Sequence, residues 1–182
     1  MEPQPVVVKG LRKSFGAQQV LKGIDLTVNK GEILAILGKS GTGKSVLLRL
    51  LIGLENADAG SISIRGQETT RLQMDQLNEM RMKVGFLFQE GALYDSLTVA
   101  ENVGFPLRRH TKLSDSERAD KVRALLLSVG LSKDLEKMPS DISGGMRKRV
   151  GLARALALDP EILLLTSRLR GSTPSPPPKL ES

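Results

Sequence analysis

The octapeptide Gly38-Lys39-Ser40-Gly41-Thr42-Gly43-Lys44-Ser45 constrains this chain more than any other feature. It fills every fixed position of G-x-x-x-x-G-K-[ST]. It stands between an apolar run, Glu32 to Leu37, which the pattern predicts as a buried strand, and a segment of helical spacing, Lys44 to Leu54. Glycines let successive backbone N–H groups turn inward around an anion, and a helix starting near Lys44 points its positive end at the same spot. The Lys44 ammonium is then expected to reach the β- and γ-phosphates of a nucleotide, and the Ser45 hydroxyl to ligate Mg²⁺. The alternative is a glycine-rich turn that merely caps a helix. The complete motif in a strand–loop–helix context favours phosphate.

The rest of the chain alternates in the same way. Val6 to Val8 and Val20 to Val28 read as strands joined by a polar turn around Gly16, and Ser61 to Ile64 as a short strand bounded by glycines. Thr70 to Met82 has helical spacing at Leu72, Leu77 and Met80, and Val84 to Phe88 reads as a second buried strand. From Thr98 to Leu131 the pattern turns helical, most clearly over Ser114 to Leu127. Ser143 is placed to cap a helix running to Leu158, and Glu161 to Leu165 is an apolar run of strand length. This order predicts an α/β domain with a largely parallel sheet.

Composition narrows the functions. With no Cys and one His, disulfide frameworks, thiolate sites and histidine metal clusters are excluded. The net charge of +7 favours anionic partners without choosing among nucleotide, nucleic acid and acidic membrane. At 3% aromatics and no Trp, stacking platforms for single-stranded nucleic acid are scarce. No apolar run reaches bilayer length, and the start shows no signal-peptide pattern, so a cytoplasmic location is expected.

A second motif is Ile142-Ser143-Gly144-Gly145-Met146, followed by the basic stretch Arg147 to Ala157. A serine cap with two exposed glycine amides makes an anion-binding helix N-terminus. The basic residues Arg147, Lys148 and Arg154 would on their own be a solvated helix face. Together the motifs resemble the ATP-binding-cassette (ABC) ATPases. Ser143-Gly144-Gly145 matches the signature L-S-G-G-Q, with Ile142 and Met146 departing; Gln89, after Val84-Gly-Phe-Leu-Phe, matches the Q-loop; Phe15 sits where the family stacks an aromatic on adenine. The resemblance covers Val6 to about Leu165. It implies a P-loop NTPase (RecA-like) core with a helical ABC subdomain, ATP and Mg²⁺ as cofactors, and Ser45 and Gln89 as metal-side residues. It also implies a homodimer in which the phosphate loop of one subunit and the Ser143–Gly145 signature of the other enclose each ATP.

The segment from Phe88 to His110 is similar, more narrowly, to the ATPases of Mce-type lipid transporters, as is the Met of S-G-G-M. That similarity makes about Gly91–His110 the candidate contact with a membrane permease, at the inner face of the cell membrane. It also argues against a nucleic-acid-linked ABC protein. The other reading of the segment is a generic helical lobe. His110 reads as a surface residue.

The family motif D-E-P-T-S-G-L-D-P is expected after Leu165. It supplies an Asp that helps hold Mg²⁺ and a Glu that polarises the attacking water. Here the chain reads Thr166-Ser-Arg-Leu-Arg-Gly-Ser-Thr-Pro174, and both carboxylates are absent. If each codon is built from the last base of the preceding residue and the first two of the residue itself, every residue of the expected motif returns in order. The stretch from about Thr166 therefore reads as a frameshift product, one base lost after the Leu165 codon, and its proline-rich composition predicts disorder.

The family strand that carries the switch histidine follows this motif and lies between the phosphate-loop strand and Glu161–Leu165. Its loss leaves both without a neighbour, at a cost in unpaired backbone groups. The resulting expectation is an incomplete ABC domain over residues 1–165, with a core at 1–89 and 143–165 and a helical lobe at 90–142, then a tail at 166–182. The intact subunit would hydrolyse ATP to power a transporter of the lipid type. The competing expectation is a catalytically dead nucleotide-binding module.

Overall fold

The structure is a computed structural model that describes residues 4–39, 41–88 and 91–166. Strands β1 (Val6–Phe15) and β2 (Gln18–Val28) form an antiparallel hairpin that turns at Gly16, where φ is 57°. The other edge of β1 pairs antiparallel with β3 (Ala59–Ile64), which pairs with the two-residue β4 (Gln67–Glu68). The sheet order is thus β2-β1-β3-β4. Alternation along β1 turns Val6 and Val8 to one face, and with Leu11, Leu21, Ile62 and Ile64 they form a buried layer. Helix α1 (Lys44–Leu51) covers that layer with Leu47, Leu50 and Leu51, and α2 (Met74–Met82) adds Leu77 and Met80.

A second sheet holds β5 (Val84–Leu87) and β6 (Ile162–Leu165), paired parallel with Val84 opposite Ile162 and Leu87 opposite Leu165. Between them in sequence lie α3 (Val99–His110), α4 (Asp115–Ser128) and α5 (Gly144–Leu156). These helices make a separate buried cluster in which Val99, Val103, Leu107, Leu126, Val150 and Ala153 have essentially no exposure. Each begins as its sequence dictates. Thr98 and Ser114 form capping boxes with Glu101 and Glu117, and Ser143 Oγ accepts the Met146 N–H at 3.2 Å.

Two expectations fail. The apolar run at 32–37 is not a strand, and every residue in it is exposed, with Ile33 at 95% and Leu37 at 74%. The sheets are consequently not largely parallel: among the described residues the four-stranded sheet is antiparallel and only β5–β6 is parallel. The reason is non-local. A strand needs partner N–H and C=O groups from elsewhere in the chain. Among the described residues neither sheet supplies a strand beside 32–37, and β6 pairs only with β5. A cavity of about 500 Å³ opens between this run and β2, lined by Leu21, Ile24, Leu26, Leu34, Leu37 and Leu47.

Candidate nucleotide site and aromatic cleft

The phosphate loop is assembled although the run before it is not a strand. Gly43 is the N-cap of α1 at φ 89°. A Cβ there would lie 2.8 Å from Val20 Cγ1 and 2.9 Å from Leu21 Cδ2, so only glycine lets the chain turn into the helix against β2. One turn of loop puts its oxygens around Lys44: the Nζ donates to Gly38 O at 2.6 Å, to Lys39 O at 2.7 Å and to Thr42 Oγ1 at 3.3 Å. The Thr42 hydroxyl in turn donates to Lys39 O at 2.9 Å. The ammonium is thus held at the mouth of the loop by neutral acceptors, where an anionic oxygen would be the stronger partner. Gly41 is exposed, as is Ser45 at the second position of α1. Ser40 and Gln89 lie outside the described residues.

Phe15 ends β1 with 46% of its surface exposed, and the Lys13 ammonium stands 5.2 Å from its ring centroid. Ser143, Gly144 and Gly145 are exposed at the head of α5. Helix α1 buries its side chains in the first cluster and α5 in the second, so the two glycine-flanked N-termini belong to different packing units. Past β6, Thr166 donates from both N and Oγ1 to Leu87 O, at 3.0 and 3.1 Å. It extends the β5 pairing and brings no charge to the place where an aspartate is expected.

A cleft of about 360 Å³ lies among β5, α3 and α5. Its walls are Phe86, Phe88, Tyr94 and Phe105, with Arg81 and Arg154 as its charged side chains. The Tyr94 and Phe105 rings meet tilted at 42°, 4.8 Å between centroids. The segment after the Q-loop is fastened on both sides. Arg154 donates to Gly91 O at 2.9 Å and Ala92 O at 3.0 Å and lies 5.9 Å from the Tyr94 ring; burial lowers its pKa from the ordinary arginine value. The fully buried Asn102 accepts the Tyr94 N–H and donates to the carbonyls of Tyr94, Leu97 and Thr98. Gly91 has φ 81°, and a Cβ on it would stand 2.6 Å from Arg147 O. His110 is exposed at the end of α3.

The family profile for ABC transporters matches residues 21–166. The chain belongs to the ABC transporter family. It is 50% identical over 159 residues to the probable ribonucleotide transport ATP-binding protein mkl of Mycobacterium tuberculosis, covering 87% of this chain and 44% of that one. It is 43% identical over 171 residues to the methionine import ATP-binding protein MetN of Rhizobium etli, covering 90% and 47% respectively. A solved dimeric ATP-binding cassette bound to ADP and Pi superposes with a TM-score of 0.81 at 34% identity, over 88% of this chain and 72% of that one. The fold is therefore that of the P-loop ATP-binding cassettes, a mixed α/β core with a helical subdomain. This ABC chain spans less than half the length of the curated relatives it matches.

Two placements were not legible in the sequence. Arg154, read as part of a solvated face, is instead turned into the cleft wall, and Arg147 donates to Ile142 O at 2.9 Å; of the three, Lys148 alone is exposed. Asp58 carries no motif, yet its carboxylate accepts the Ser14 N–H at 2.6 Å beside Phe15.

Proposed function

We propose that this ABC chain binds MgATP through Gly38–Ser45, as the nucleotide-binding part of a subunit that powers a membrane transporter. The Lys44 ammonium gathered at the head of α1 carries this reading. Lys44 meets the β- and γ-phosphates, the loop amides and the α1 N-terminus share their charge, and Phe15 stacks on the adenine. Ser45 offers one hydroxyl to Mg²⁺, with Gln89 as the second protein residue on that side. Mg²⁺ held there by Ser45 and Gln89 would supply neutralisation of phosphate charge. The placement of Ser143–Gly145 in the other packing unit fits a homodimer that completes each site in trans.

The aromatic cleft with Arg81 and Arg154 suits an apolar permease segment that carries an acidic group, at about Gly91–His110. The Mce-like features of Phe88–His110 and Met146 favour a lipid as cargo. The mkl and MetN names point to other substrates for those relatives. The location that follows is cytoplasmic, at the inner membrane face; among the described residues no helix is long and apolar enough to cross a membrane.

As a second reading, the chain as it stands binds nucleotide without turning it over. Thr166 is neutral and already bonded to Leu87 O, and Ser167 follows it in place of the catalytic glutamate. The exposed run 32–37 and, among the described residues, the single-sided pairing of β6 fit an incomplete domain over residues 1–165.

Calorimetric titration of MgATP into the chain and into Lys44→Ala tests the site. Loss of measurable binding in a folded Lys44→Ala variant is expected. Equal affinity in both sinks the assignment.

A further inference from the structure

The ring proposed to stack on the base ends a strand that outruns its neighbour. The β1–β3 ladder finishes where Arg12 faces Ala59, so the last residues of β1 have no strand on that edge. Asp58, the residue just before β3, takes over. Its backbone N–H donates to Arg12 O at 3.0 Å, and its Oδ2 accepts the Ser14 N–H at 2.6 Å. Its Oδ1 lies 3.4 Å from Lys13 Nζ, which also donates to Asn56 O at 2.7 Å. The same Lys13 ammonium stands over the Phe15 ring.

We propose that Asp58 is a positioning residue for the base end of the nucleotide site. By accepting the Ser14 N–H and anchoring Lys13, it holds the β1 edge one residue before Phe15, on the side away from β2, and sets a cation against one face of the ring. The base stacks on the other. An aromatic platform contributes more to affinity when its orientation is fixed before the ligand arrives, because ordering it on binding consumes part of the stacking energy. A carboxylate accepting a backbone N–H is a strong tie of this kind, and the Lys13 cation polarises the ring that the base meets. The inference rests on the reading of Phe15 as the adenine platform.

The test separates the base from the phosphates. The full chain, Asp58→Ala, Asp58→Asn and Phe15→Ala are titrated calorimetrically with MgATP and with magnesium tripolyphosphate, which has no base. Asp58→Ala is expected to weaken ATP binding about tenfold, the scale of one base–aromatic stack, with tripolyphosphate affinity unchanged. Asp58→Asn keeps an oxygen for the Ser14 N–H and should recover most of the loss. Phe15→Ala should behave like Asp58→Ala. Tripolyphosphate binding also reports, within each variant, that the loop is folded. Equal weakening of both ligands in Asp58→Ala makes Asp58 a general fold residue and overturns the proposal. So does unchanged ATP affinity in Asp58→Ala when Phe15→Ala has lost it, which leaves the platform standing. Unchanged ATP affinity in Phe15→Ala removes the platform and this inference together, while the phosphate loop stands. An unaltered chain that binds neither ligand removes the nucleotide site itself.

Discussion

The helices at 99–157 and the run at 32–37 are both apolar, and they end up in opposite states. In the first, Val99, Val103, Leu107, Leu126 and Val150 are sealed from solvent. In the second, Ile33, Leu34, Ile36 and Leu37 are all exposed. A helix satisfies its backbone within itself and needs only a face to bury. A central strand needs neighbours on both edges, and these come from distant sequence. The phosphate loop survives between these extremes because it is tied locally, through Gly43, Lys44 and Thr42, to a helix whose other face is buried.

The largest effect should come from supplying what the strand run lacks. Inserting one G after the Leu165 codon is expected to restore D-E-P-T-S-G-L-D-P and, where genuine sequence follows, a histidine at a strand end. A positioned general base is worth about two to four powers of ten in rate, so the longer product should release phosphate from ATP where the shorter does not. Its residues 32–37 should also gain hydrogen-exchange protection. A corrected frame that stops at once would leave the codon pattern a coincidence.

Next in size is the contrast in stability. Leu107→Ala, in the sealed cluster, should cost about 2–5 kcal/mol. Ile33→Ser should change stability by no more than about 0.5 kcal/mol. The chain has one Tyr and no Trp, so the fluorescence of Tyr94, in the cleft, reports unfolding of the helical side directly. Similar losses for both substitutions would show that 32–37 is packed after all.

Gly91→Ala should come third, at about 1–3 kcal/mol, because the added methyl meets the Arg147 carbonyl and the φ is left-handed. Its effect should appear in Tyr94 fluorescence and in permease docking, with ATP affinity retained. Loss of ATP binding with docking intact would reverse the assignment of the two surfaces.

These contrasts also mark what the sequence could show. The helix beginning at Ser114 and the serine cap at Ser143 are local, and each is found where its spacing puts it. The helical side was therefore legible in outline. The state of 32–37 was not, because hydrophobic run length encodes a preference for a strand and not the presence of partners. Asp58 meets Ser14 across 44 positions and Arg154 meets Ala92 across 62, and no spacing rule reaches that far.

The smallest predicted effect is electrostatic. The Ser14 backbone N–H, with help from Lys13, holds the Asp58 carboxyl below its usual carboxylate value. A depressed folded pKa stabilises the fold above the unfolded value, and that contribution disappears as pH falls through the folded one. The stability difference between the chain and Asp58→Asn should thus be constant near neutrality and close only in acid, below the usual carboxylate range. A difference that closes on raising the pH would contradict the bonding described.

The central claim is a nucleotide site with its phosphate loop intact and its hydrolytic carboxylates absent. Phosphate release by the purified chain at saturating MgATP tests it most directly. The account predicts release indistinguishable from a protein-free control, in a chain that calorimetry shows to bind ATP; sustained release that Lys44→Ala abolishes would contradict it.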